Sequence, residues 1–261
     1  MAAERGDFNP LVALLRGGSE RAKEGAAGAL SHLAASSADY QEMIAAAGAI
    51  EPLVALVREG SEGAKAVAAA ALGGLAMNAG NQVMIAAEGA IEPLVALLEA
   101  WGGREEAKVQ AAMALTNLAA NADSRVTIAA AGAIEPLVAL LSSGTEGAKQ
   151  QAARALANLA VGNADNKVTI AAAGAIEALV ALVRGEPLVA LARGGSEKAK
   201  ESAAGALGFL AHNDDNKAKI AAAGAIEPLA ALARGGREGG EAMAAGALEM
   251  LADSTKDGGP A

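Results

Sequence analysis

The sequence GAIEPLVALL, at Gly132–Leu141, is written five times along the chain with small changes. The other copies begin at Gly48, Gly89, Gly174 and Gly224, so successive copies are separated by 41, 43, 42 and 50 residues. A phrase that returns at such steps is typical of a repeat protein, in which each unit stacks on its neighbours. The chain is therefore expected to form one elongated array rather than a body around a single core.

Composition favours closely packed helices and argues against several classes of function. Hydrophobic residues make up 53% of the 261 residues but aromatic residues only 2%, so the interior is expected to consist of Ala, Leu, Val and Ile. The formal net charge of -9 is unfavourable for binding nucleic acid or an anionic membrane surface. The absence of cysteine excludes disulfides and thiolate metal sites.

The segment Ala122–Asn163 shows how one unit is built. Its short first helix ends at Gly132, because glycine enters the left-handed conformation of a helix C-terminus without steric cost. Pro136 falls in the first turn of the second helix, where a missing N–H removes no internal hydrogen bond. Thr145 then caps a third, longer helix. Two buried faces are predicted, consisting of Ile134, Leu137, Leu140 and Leu141 on the second helix and of Ala148, Ala152, Ala155, Leu156 and Leu159 on the third.

The phrase GAIEPLVALL, followed by a cap and the pattern AAxALxNLA, resembles the armadillo repeat, and the match recurs over nearly the whole chain. The resemblance implies an all-α fold, a right-handed superhelical solenoid of about five three-helix repeats plus an N-terminal half repeat. It also implies a concave groove lined by the third helices, which is where a partner would bind.

The repeat pattern assigns residues 1–261 to a single solenoid. We predict a partial N-terminal repeat at 7–37, full repeats at 38–78, 79–121, 122–163, 164–213 and 214–252, and a disordered tail at 253–261.

The fourth repeat carries a nine-residue duplication at 177–194, EALVALVRG followed by EPLVALARG. The break at Gly185–Glu186–Pro187 predicts two short helices and a local bulge, because a continuous helix would turn the second set of leucines to the opposite face. A tolerated duplication is favoured here over a binding insert.

Groove residues are assigned from the resemblance. In armadillo proteins that bind extended peptides, an asparagine near the end of the third helix holds the ligand backbone, and a tryptophan one turn earlier packs against its side chains. The asparagine position falls on His32, Gly74, Asn117, Asn158, Phe209 and Met250, and the tryptophan position on Gly28, Ala70, Met113, Arg154, Gly205 and Gly246. The pattern holds at two asparagines and at no tryptophan, which argues against a nuclear-import adaptor.

The predicted partner-binding residues are Asn117, Asn158, Gln110, Gln151, Met113, Arg154, Phe209 and His32, with Trp101, Met243 and Met250 as accessory candidates. A local hydrogen bond at a helix end is an equal alternative for the two asparagines. Packing against the neighbouring repeat, or capping the last one, is an equal alternative for Phe209, Met243 and Met250. For Trp101, packing over its own helix pair is favoured. Groove side chains one and two turns further back nearly cancel in charge, which argues against a strongly basic peptide ligand.

The sequence thus predicts a non-catalytic scaffold that binds a protein or an extended peptide, with no cofactor, metal, nucleic acid or membrane. A structural spacer or self-assembly module is one alternative, and an engineered consensus-like array without a native partner is another. No dinucleotide, phosphate-loop or nucleophile-elbow motif occurs, so the chain is not expected to be an enzyme. We expect a monomer in the cytoplasm, with end-to-end self-association and a nuclear location as alternatives.

Overall fold

The computed structural model describes residues 7–100, 104–185 and 196–252. These ranges contain seventeen α-helices and no strand, so the all-α prediction is confirmed. The chain divides into two compact units, Met1–Ala133 and Ile134–Ala261.

The first unit begins with a helix pair and continues with triplets of a short, a medium and a long helix. Its helices are α1 (Asn9–Gly17), α2 (Glu20–Ser36), α3 (Ala38–Ala46), α4 (Ile50–Glu59), α5 (Glu62–Leu75), α6 (Ala79–Ala87), α7 (Ile91–Glu99), α8 (Glu105–Leu118) and α9 (Ala122–Ala130).

The second unit continues the same order, starting from a medium helix. Its helices are α10 (Ile134–Ser143), α11 (Glu146–Ala160), α12 (Ala164–Ala172), α13 (Ala175–Arg184), α14 (Glu197–Leu210), α15 (Asp214–Ala222), α16 (Ile226–Gly235) and α17 (Glu238–Ala252).

The joint between a short first helix and the following second helix is a sharp turn through glycine. The five glycines that open the repeated phrase all have positive φ, from 73° at Gly89 to 82° at Gly132. A side chain would be strained there, which explains why the phrase always begins with glycine. In the described part of the chain, no single helix is long and apolar enough to span a membrane. Four pairs of a first and a second helix have that length and composition only when taken together, and each pair is bent by 75° to 83°.

The third helices lie side by side and approach closely. Within the first unit α5 packs between α2 and α8, and within the second unit α14 packs between α11 and α17. A Cβ placed on Gly73 would lie 3.3 Å from the Cα of Ala114, and one on Gly208 would lie 3.4 Å from the Cα of Ala247. Because the residues at these points are glycine and alanine, the helix backbones can approach closely. This explains why the chain is rich in alanine.

The buried faces predicted for the segment Ala122–Asn163 are confirmed. Thr145 accepts a hydrogen bond from the Ala148 N–H at 3.4 Å and so caps α11 as expected. The predicted buried residues of α10 and α11 are all at most 5% exposed: Ile134, Leu137, Leu140, Leu141, Ala148, Ala152, Ala155, Leu156 and Leu159.

Buried amides on several of the first helices bond to the end of the preceding third helix, and the sequence pattern had not pointed to them. The Asn166 side chain donates to the Leu159 oxygen at 2.9 Å. Asn81 donates to Leu75 and also to Gln41 in the preceding first helix, at 3.1 and 3.0 Å. These bonds give side-chain donors to backbone carbonyls at the buried contacts between a first helix and its neighbours.

The first copy of the nine-residue duplication forms most of α13. The helix ends at Gly185, which adopts the left-handed conformation with φ 73°. This confirms the helix stop predicted at the Gly185 break. The second copy with its predicted helix, Trp101 and the predicted tail at 253–261 lie outside the described residues, so those predictions stand as they were made.

Candidate functional site

In the second unit, α11, α14 and α17 line an open cleft of about 430 Å³. The cleft brings together four of the predicted binding residues: Arg154, Asn158, Phe209 and Met243. Its other lining residues are Gln150, Ala157, Lys198, Glu201, Ser202 and Gly205. The residues follow helical spacing along α11 and α14, so one face of each third helix forms a wall.

One part of the cleft is apolar and exposed. Phe209 is 38% exposed and Met243 is 46% exposed, although both are large hydrophobic side chains. The Phe209 ring stacks on His212, with ring centroids 6.4 Å apart. His212 is in turn held by the Gly208 carbonyl oxygen, 3.0 Å from its Nδ1 atom. The ring of Phe209 is therefore positioned before any ligand arrives.

Gly205 leaves space between these two side chains. A Cβ on Gly205 would lie 3.3 Å from the Met243 sulfur, whereas the equivalent position on α11 carries Arg154. The missing side chain opens the apolar part of the cleft toward Met243.

The charges of the cleft are two cations and one carboxylate. Arg154 and Lys198 are exposed, and neither forms an ion pair with any residue in the described ranges. Glu201 is different, because its carboxylate lies against Gly239 in the first turn of α17, with Oε1 2.5 Å from where a Cβ would be. The positive end of the helix dipole stabilises that carboxylate. Glu201 is half-buried whereas Arg154 and Lys198 are exposed, so the exposed charges of the cleft are positive.

In the first unit, the Asn117 side chain makes a contact between repeats. Its Nδ2 atom donates to the Gly73 oxygen at 2.9 Å. Gly73 is in the last turn of α5, where the other terminal carbonyls, those of Leu72, Gly74 and Leu75, accept from backbone N–H groups. Asn117 thus completes the C-terminal hydrogen bonding of the preceding third helix. Because this bond runs to the neighbouring third helix, it is not the local helix-end hydrogen bond that was the alternative for Asn117.

The other predicted residues in the described ranges do not line the cleft. Gln110 and Met113 are half-buried on α8, two turns and one turn before Asn117, and the Met113 methyl lies against Gly73. His32 is exposed on α2, with Nδ1 3.0 Å from the Gly28 oxygen of its own helix. Gln151 on α11 and Met250 on α17 are half-buried and are not among the residues that line the cleft.

Three further clefts recur at equivalent places between consecutive second helices, with volumes of about 410, 660 and 240 Å³. Each is lined by an arginine near the end of one second helix and a proline in the first turn of the next: Arg16 with Pro52, Arg58 with Pro93, and Arg184 with Pro228. Because they repeat with the array, these clefts follow from the stacking of the second helices.

Comparison with known proteins identifies the family. The armadillo/beta-catenin-like repeat model matches residues 37–77, 78–120 and 121–161. The designed armadillo repeat protein YIII(Dq)4CqI is 31% identical, with a TM-score of 0.83, over 94% of this chain and 100% of that one. The chain belongs to the armadillo repeat family. The predicted family and fold class are thereby confirmed.

Two other solved structures are similar to this chain. An engineered protein from the Northeast Structural Genomics Consortium is 32% identical with a TM-score of 0.85, over 95% of this chain and 99% of that one. The designed armadillo repeat protein YIII(Dq.V1)4CPAF, in complex with the peptide (KR)4, is 30% identical with a TM-score of 0.80, over 94% and 99% of the two chains. The curated proteins gave no match.

The armadillo pattern alone did not point to two cleft residues, Gln150 and Glu201. Each lies four residues before a position that was assigned, Arg154 on α11 and Gly205 on α14. Helical spacing could have found them, since residues four apart share a face. Among the described residues, no group of three or more His, Cys, Asp or Glu side chains is arranged to hold a metal ion.

Proposed function

We propose that this armadillo protein is a non-catalytic scaffold, and that it binds an extended segment of a partner protein in the cleft formed by α11, α14 and α17. The observation that carries the proposal is the cleft itself, where exposed Phe209 and Met243 lie beside polar and cationic side chains. A concave site with an apolar anchor and a few convergent polar groups is the usual form of a binding site.

The exposure of the apolar residues supports this role. A phenylalanine and a methionine that stay exposed to water do not contribute the free energy that their burial would give. Exposed apolar side chains that cluster on a surface are typical of interaction sites. Methionine also adapts to differently shaped partners, because its side chain is unbranched and flexible.

Asn158 is the proposed polar contact to the ligand backbone, since it lines the same cleft. An amide side chain both donates and accepts, as a peptide backbone requires. Asn117 has the corresponding role in the first unit, with the Nδ2 hydrogen that is not used by Gly73 and with its oxygen. The similar designed protein in complex with a peptide supports the choice of an extended ligand.

A second candidate function is self-assembly through the last repeat. Ile226, the first residue of α16, is 52% exposed, whereas the equivalent Ile50, Ile91, Ile134 and Ile176 are at most 5% exposed. A second copy that stacks on α16 would bury Ile226 as the internal repeats bury theirs. Sedimentation should then show association that Ile226→Asp abolishes; a monomer at every concentration would exclude self-assembly.

Similarity to designed proteins does not favour an engineered origin, because the similarity follows the repeat pattern that all these chains share.

Selection from a displayed library of random peptides tests the proposed scaffold. The wild-type protein is the target, and the variant Asn158→Ala/Phe209→Ala is the counter-target. Val168→Ala on α12 is the matched control, because Val168 is 54% exposed and does not line the cleft. We expect enriched peptides that bind the wild type and the control equally and bind the double variant at least about tenfold more weakly. If the folded double variant binds the selected peptides as tightly as the wild type does, the cleft is not the binding site.

A further inference from the structure

We infer that the cleft formed by α11, α14 and α17 prefers a segment in which an apolar side chain stands next to carboxylates, and disfavours a basic segment. This inference rests on the proposed function and specifies the chemistry of its partner. It follows from the separate positions of the apolar and charged residues within the cleft.

The apolar part accepts one side chain of the ligand. Phe209 supplies an oriented ring, Met243 supplies a flexible wall, and Gly205 leaves the space between them open. The equivalent of Phe209 in the two preceding third helices is asparagine, so the apolar side chain distinguishes α14 from α8 and α11. A leucine or phenylalanine of the ligand would bury its side chain here.

The charged part of the cleft determines which residues are preferred next to the apolar side chain of the ligand. Arg154 lines the cleft from α11 and Lys198 lines it from α14, and neither is neutralised by an ion pair with a described residue. The carboxylate of Glu201 lies against the first turn of α17, where the helix dipole compensates its charge. A ligand carboxylate would therefore meet two cations, and a ligand lysine or arginine would meet like charge.

Two uncharged polar residues of the cleft are compatible with this choice. Gln150 and Ser202 add no charge, and the Ser202 hydroxyl already donates to the Lys198 backbone oxygen at 2.8 Å. The overall charge of -9 does not contradict a positive cleft, because the cations are local to α11 and α14. The preference is opposite to the composition of the (KR)4 peptide in complex with the similar designed protein.

The test uses fluorescence anisotropy with three labelled synthetic peptides of equal length. Each has a central Leu-Phe pair, flanked by Asp and Glu in the first peptide, by Lys and Arg in the second, and by Ser and Gly in the third. We expect the acidic peptide to bind the full-length protein about tenfold more tightly than the basic one at low salt, with the difference shrinking as salt is added.

Charge reversal in the cleft provides the decisive comparison. Arg154→Glu/Lys198→Glu should abolish or reverse the preference, whereas the control Lys219→Glu/Arg234→Glu changes the net charge equally at exposed residues outside the cleft and should keep it. An acidic preference that survives in Arg154→Glu/Lys198→Glu overturns the inference, as does tighter binding of the basic peptide by the wild type.

The outcome also separates this inference from the proposed function. If the neutral or basic peptide binds best and Phe209→Ala weakens it, the cleft is a binding site and only the charge preference is wrong. If no peptide binds in a manner that depends on Phe209, both the inference and the proposed cleft are wrong.

Discussion

The guanidinium of Arg184 donates a hydrogen bond to the backbone oxygen of Gly224, 3.1 Å away, and so links α13 to the C-terminus of α15 in the next repeat. Arg58 makes the same link to Gly89 at 2.9 Å, and Arg16 makes it to Gly48 at 3.4 Å. A cation at a helix C-terminus is favoured by the exposed carbonyls and by the helix dipole. We call this interaction the arginine clamp.

The arginine clamp is missing at two internal junctions. The equivalent positions on α7 and α10 carry Glu99 and Ser142. Correspondingly, no described atom comes within 4 Å of a Cβ placed on Gly132 or Gly174, whereas arginine Nη2 atoms lie 2.6 to 3.5 Å from such a Cβ at the clamped glycines. The junctions on either side of the third repeat therefore lack a contact that the others have.

Removing a clamp should destabilise the protein. Arg184→Met keeps the apolar part of the side chain but loses its donors, and we expect the free energy of unfolding in urea to fall by about 1 kcal/mol. Arg234→Met is the matched control, since Arg234 has the same position on α16 and no hydrogen bond or ion pair to a described residue. Equal losses in both variants would show that the clamp does not stabilise the fold.

Installing a clamp should stabilise it. Glu99→Arg replaces a carboxylate near the negative C-terminal end of α9 with a donor for the Gly132 carbonyl, and should raise the free energy of unfolding by about 1 kcal/mol. Glu59→Arg is the control, because it makes the same charge change at the exposed end of α4. Thermal and urea unfolding measure both variants, and a gain confined to the control would contradict the expectation.

Substitutions of Asn117 should reveal its role between repeats. Asn117→Ala leaves the Gly73 oxygen without its 2.9 Å partner and should cost about 1 kcal/mol of stability. Asn117→Asp, which has nearly the same shape, should cost more, because a carboxylate cannot donate and would face a carbonyl at the C-terminus of α5. An Asp variant as stable as the wild type would mean that the hydrogen bond contributes nothing.

Two glycines at equivalent places in the third helices should respond differently to alanine. Gly147 in α11 has no described neighbour within 4 Å of a Cβ, so Gly147→Ala should stabilise the helix by about 0.5 kcal/mol. Gly63 in α5 would place its Cβ 2.7 Å from the Glu24 carboxylate, which must move away. Gly63→Ala should therefore raise the free energy of unfolding by less than Gly147→Ala does. Urea unfolding measures both variants, and a larger gain for Gly63→Ala would contradict this interpretation.

Much of the fold could be predicted because each local signal agreed with the others. The repeated glycine marked a turn that needs positive φ, Pro136 marked a first helical turn, and Thr145 marked a cap. The spacing of Leu and Ala gave the buried faces of α10 and α11 correctly, since those faces depend only on helical periodicity.

The candidate site was predicted less completely, because its properties depend on contacts between helices. Asn117 and Asn158 matched the same family position, but the sequence did not show that Asn117 bonds to the preceding third helix or that Asn158 lines a cleft. Glu201 counts as a charge in the sequence, but only the structure shows that it is half-buried against α17 while Arg154 and Lys198 are exposed.

The sequence by itself determined the repeat, the helices, their caps and turns, and the residues that face the core, because these depend on backbone conformation and on periodicity within one helix. Only the tertiary structure decided that Arg184 reaches Gly224, that Asn117 completes α5, and that Phe209, Met243 and Arg154 share one cleft. The physical reason is that these relationships join residues of different repeats, and the distances between such residues are set by how the repeats pack.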